Sequence, residues 1–111
     1  MKKIERILAP LASLKVQDRF IVHGNKDEYL VPEELLESAI NFLFEQQIIA
    51  YQNTEKMLRL KENIRNVEIP SAISNRELIY EYGPWVRIRE DAQLILEELG
   101  FDLANWEITE L

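Results

Sequence analysis

A chain of 111 residues, 47% hydrophobic and 30% charged, has the balance of one globular domain rather than of a disordered segment. It has no cysteine and a net charge of −7, which excludes a disulfide framework, a thiolate metal site and a thiol nucleophile. No apolar run approaches the ~20 residues of a membrane span, and Glu5 and Pro10 interrupt the basic start without a cleavage site, so a soluble, cytoplasmic protein is expected.

Residues 2–15 suit a helix, with Ile4, Ile7, Leu8, Leu11 and Leu14 on a 3.6-residue period and Pro10 as a kink or restart. Residues 16–19 are a link. Phe20–Val31 reads as a β-hairpin about Gly24-Asn25-Lys26-Asp27, where turn formers cluster between two apolar runs. Pro32–Gln47 is the clearest helix. Pro32 fits the first helical position, Glu33 and Glu34 favour the first turn, and Leu36, Ile40, Leu43 and Phe44 make an apolar face. Ile48–Gln52 and Lys56–Lys61 read as a second hairpin about residues 53–55.

Residues 62–75 read as loop, with a short strand over Val67–Ile69. Arg76–Tyr82 and Trp85–Arg89 read as extended pieces around Gly83-Pro84; Val86 and Ile88 alternate there with Arg87 and Arg89. Glu90–Leu99 is the last helix, closed by Gly100 with Phe101 packing back on it. Ala104–Thr109 suits an edge strand. These elements predict a single α+β domain over 1–111, with about three helices and antiparallel hairpins.

Charge is segregated along the chain. Residues 1–26 hold six bases and two acids, and residues 56–89 hold seven bases and four acids. Residues 27–55 and 90–111 each hold seven acids and no base. Either the basic blocks neutralise the acidic ones within the fold, or the acidic blocks form a negative surface that attracts a cationic partner and repels nucleic acid.

Reaction chemistry finds little support. His23 is the only histidine, and it lacks the second histidine or cysteine that a metal or a nucleophile would need; Asp27 or Glu28 across the turn are the carboxylates expected nearest it. Acid pairs such as Glu33/Glu34, Glu90/Asp91 and Glu97/Glu98 diverge by about 100° on a helix and do not converge on one atom. No calcium loop and no phosphate-cradling glycine loop is present. No catalytic residue, metal site or cofactor is therefore expected.

Helix 32–47 followed by hairpin 48–61 has the layout of the recognition helix and wing of a winged helix-turn-helix domain. Lys56, Arg59 and Lys61 suit a wing, but Glu33, Glu34, Glu37 and Glu45 on the recognition helix oppose approach to phosphate. Leu35 and Phe42 lie seven residues apart, beyond the acidic arc. They are either part of a broad buried face or an apolar anchor beside carboxylates, which Tyr51 and Trp106 would extend.

In size, charge and acidic helix the chain resembles bacterial immunity proteins of the contact-dependent growth inhibition and colicin type. The resemblance rests on Glu33, Glu34, Glu37 and Glu45 and on the acidic tail from Glu90. It implies a one-to-one complex with a basic cognate toxin, a nuclease by preference, whose active site the protein covers without catalysis. The expected partner-binding residues are Glu33, Glu34, Glu37, Asn41, Phe42, Glu45, Tyr51, Asp91, Glu97, Glu98 and Trp106. Nucleic acid and membrane are not expected partners, and the alternative function is a winged-helix regulator or a DNA-mimicking modulator.

Overall fold

In the computed structural model, which describes residues 1–45 and 55–111 apart from the Glu45 side chain, every regular element is helical. The order is α1 (Lys3–Ala12), α2 (Leu14–Gln17) running into a π-helical turn (Asp18–Val22), α3 (Pro32–Ile40) running into a second π turn (Asn41–Glu45), α4 (Glu55–Asn66), α5 (Asn75–Tyr80), α6 (Gly83–Glu98) and α7 (Leu103–Glu110). No strand occurs among the described residues, so the α+β expectation is overturned. The predicted strand 48–52 lies outside the described residues.

Among the described residues, most of the expected strands turn out helical for identifiable physical reasons. Lys56–Lys61 belongs to α4, whose buried Met57, Leu60 and Ile64 recur at helical spacing. The wing of the DNA-binding alternative is therefore lost over 56–61. Arg76–Tyr82 is mostly α5, started by Ser74, whose hydroxyl accepts from the Glu77 N–H at 3.1 Å. Trp85–Arg89 is the first half of α6. Gly83-Pro84 opens that helix, since proline in its first turn sacrifices no hydrogen bond. Ala104–Thr109 lies in α7, capped by Asp102, whose carboxylate accepts from the Asn105 N–H at 3.1 Å. Val67–Ile69 has no regular secondary structure.

The Phe20–Val31 hairpin is replaced by the first π turn and a loop. A tight bend does form at 25–28: Asn25 Oδ1 accepts from the N–H groups of Asp27 and Glu28 at 2.9 and 3.0 Å. A Cβ at Gly24 would collide with the Phe20 carbonyl oxygen, so the chain can double back only with glycine there.

Other expectations hold. Pro10 sits inside α1, which stops at Ser13 and restarts as α2. The Ser13 hydroxyl accepts from the Val16 N–H at 3.0 Å and donates to Glu107, tying α2 to α7. Pro32 opens α3 with Glu33 and Glu34 in its first turn. Gly100 has φ +75°, and the Phe101 N–H reaches the Leu96 carbonyl at 2.9 Å, closing α6 in a Schellman turn.

α6 is the central strut. It packs chiefly against α1 and α4, with α5 and α7 against it, while α3 packs on α1 and α4. Trp85, Ile88, Ala92, Ile95 and Leu96 of α6 meet Leu8, Leu11, Leu60 and Ile64 in one core.

A polar network lies inside that core. Gln17 is fully buried, and its amide nitrogen donates to the carbonyls of Pro10 (2.9 Å) and Leu11 (2.7 Å), which the helix break leaves open. Its amide oxygen accepts from Trp85 Nε1 and Arg89 Nη1, both at 3.1 Å. Arg89 also donates to the Ile79 carbonyl at 2.8 Å. The guanidinium makes no ion pair with a described carboxylate. Burial pushes its pKa down, partly opposed by Glu90.

Candidate protein-binding surface

α3 sorts its residues by side. Pro32, Leu36 and Ala39 are buried, and Phe42 and Leu43 of the π turn continue that face. Glu33, Glu34, Glu37, Ser38, Ile40 and Asn41 are exposed. Glu33 and Glu37 are four residues apart and share a face, where their like charges destabilise the helix by a few tenths of a kcal/mol. None of Glu33, Glu34 and Glu37 forms an ion pair with a described base.

Beside this acidic row runs a shallow groove of about 340 Å³, lined by Glu33, Leu36, Glu37 and Ile40 of α3 and by Val67 and Ile69 from the segment after α4. The far wall is held in place. The Val67 N–H bonds the Asn63 carbonyl at 3.0 Å, and the Tyr82 hydroxyl donates to the Glu68 carbonyl. Ile40, placed on the core stripe by its spacing, is 38% exposed and forms part of the groove. The groove therefore offers an apolar floor with unpaired carboxylates along one side. Such a surface buries a partner's aliphatic groups and pairs with its cations.

The remaining expected contact residues divide. Phe42 is 6% exposed, with Lys3 Nζ 5.5 Å from its ring centroid. Leu35 packs against the same core, so the pair belongs to a broad buried face rather than to an exposed anchor. The Glu45 side chain and Tyr51 lie outside the described residues. Asp91 is buried: it accepts from Asn63 Nδ2 at 2.6 Å and pairs with Arg59 Nε at 3.3 Å, joining α4 to α6. Glu98 pairs with Lys56 at 3.6 Å, and Glu97 is exposed. Trp106 is half-buried against the core and faces a different cleft.

The acidic blocks thus fare differently. On α6, bases of α4 neutralise Asp91 and Glu98. On α3, the acids stay open. Among the groove's residues, Val67 and Ile69 escaped sequence reasoning, and their apolar character beside Pro70 was the available signal.

The exposed His23 lies nearest Asp18, at 3.7 Å, rather than Asp27 or Glu28. Asp18 also accepts from the Tyr80 hydroxyl at 2.6 Å. That hydrogen bond, then desolvation and the Asp18 charge, raise the Tyr80 pKa above 10.0. The folded state therefore favours the neutral phenol. Its contribution to stability is full below pH 10.0 and is lost as pH rises through the raised value. In an absorbance titration the Tyr80 transition should come late, and Asp18→Asn should move it to lower pH; an unmoved transition would contradict the assignment.

Among the described residues no three His, Asp or Glu side chains gather as metal ligands, and no helix is long and apolar enough to cross a membrane. No family model, no curated protein and no solved structure matches the chain.

Proposed function

We propose that this protein is an inhibitor of the immunity type, which binds a basic protein partner and covers its active site. The partner is a toxin whose cationic cleft evolved to hold phosphate, a nuclease by preference. The observation that carries the reading is the open acidic row Glu33, Glu34 and Glu37 beside the Leu36/Ile40/Val67/Ile69 groove. Carboxylates at the surface of α3 present to such a cleft the charge that phosphates would present. Apolar burial in the groove adds affinity that phosphate mimicry alone lacks. Exposed Asn41 extends the row by a hydrogen-bonding amide.

The reading is tested by recovering the partner with tagged full-length chain from its source cells and assaying the partner's own activity. One equivalent of the chain should abolish that activity. A recovered partner that is acidic, or that stays fully active when saturated, would sink the proposal.

A further inference from the structure

A second cleft, of about 360 Å³, opens on another part of the molecule, between the first π turn, the loop 27–30 and α7. Its walls carry three aromatic rings, Phe20, Tyr29 (61% exposed) and half-buried Trp106, beside the aliphatic Pro10, Val16 and Leu30. Its rim is acidic, with Asp27 and Glu28 from one acidic block of the sequence and Glu110 from the other. No base lines it. The loop wall is fixed by the Leu30 N–H bond to the Phe20 carbonyl at 2.9 Å, and α7 by Ser13 and Glu107.

Aromatic faces beside carboxylates suit a cation, since ring quadrupoles and negative charges attract the same group. The chain itself illustrates the chemistry at the cleft's edge. The Arg19 guanidinium lies 5.4 Å from the Phe20 ring centroid and pairs with Glu28 at 3.4 Å. A flat guanidinium stacks on rings and hydrogen-bonds carboxylates at once, which an ammonium does less well.

We propose that this cleft receives an arginine side chain from a protein partner. The site is separate from the α3 groove, and its chemistry does not depend on the partner being a toxin. Arg19, outside the lining, already engages Phe20 and Glu28 and competes with the incoming group for them.

The test uses isotope-labelled full-length chain and follows the Trp106 indole N–H by NMR, with buried Trp85 as the internal control. The probe is N-acetyl-arginine methylamide, set against its neutral citrulline counterpart and against free L-arginine. The capped arginine should shift Trp106 saturably, with half-saturation on the order of millimolar, as exposed cation–aromatic and ion pairs are weak singly. Citrulline should give less than about a tenth of the shift, since it stacks without charge. Glu28→Gln with Glu110→Gln should weaken the probe about tenfold, and Arg19→Ala should tighten it about twofold by vacating Phe20 and Glu28. All of these side chains are exposed, so folding is spared. The absence of a saturable shift, or an equal response to citrulline, would overturn the assignment. Free L-arginine binding about tenfold tighter than the capped form would make the ligand an amino acid rather than a partner's side chain, and would overturn it too.

Discussion

Replacing Glu33, Glu34 and Glu37 together by lysine is expected to lower affinity for the basic partner about a thousandfold while leaving the chain folded. Each reversal turns an attraction into a repulsion, and a swing of about 1.5 kcal/mol per site gives roughly 4–5 kcal/mol in all. The fold should tolerate the change because all three side chains are exposed and none pairs with a described residue. The dipole penalty in the first turn of α3 is about 0.3–1 kcal/mol for each of Glu33 and Glu34. The corresponding glutamines should fall between wild type and the lysine variant. Added salt should slow wild-type association steeply and should not slow the lysine variant, whose local repulsion it relieves, because charges are screened over about 10 Å at 0.1 M. Calorimetry or surface-based kinetics at two salt concentrations decides the matter. Unchanged affinity in a folded lysine variant would place the interface elsewhere.

The second large effect concerns the core. Gln17→Leu should destabilise the fold by about 4 kcal/mol, a large share of the 5–15 kcal/mol typical of a domain. Leucine fills a similar volume, but the Pro10 and Leu11 carbonyls lose their donor and Trp85 Nε1 loses its acceptor. Arg89 keeps only the Ile79 carbonyl. Each buried polar group left open costs about 1–3 kcal/mol. The melting temperature should fall by roughly 20 °C. Arg89→Met should cost less, under about 2 kcal/mol, since it also removes a guanidinium that burial penalises. If Arg89→Met proved the more damaging of the two, Gln17 would not be the hub of the network.

The sequence was legible where backbone chemistry is local. Pro32 with Glu33 and Glu34 marked the start of α3, Pro10 marked the break near Ser13, and Gly100 marked the end of α6. It misled where a short apolar run satisfied two periods at once. Over Trp85–Arg89 a strand pattern and a helical pattern share residues. Only a window that continues to Ala92, Ile95 and Leu96 separates them, and Pro84 suits the opening of a helix as well as a turn between extended pieces. Lys56–Lys61 misled in the same way, because Met57 and Leu60 find their third member at Ile64, beyond the run. The acidic row on α3 was readable because its spacing fixes its face. The pairing of Asp91 with Arg59 was not, because it joins residues of two helices that only the tertiary packing of α4 on α6 brings together.

Inhibition through this surface requires that the α3 carboxylates meet the partner. Carbodiimide coupling of exposed carboxylates, read by peptide mass spectrometry with and without bound partner, measures this directly. Glu33, Glu34 and Glu37 should become protected in the complex while Glu97 keeps its reactivity. Equal reactivity of the three α3 acids in the free and bound states would contradict the account.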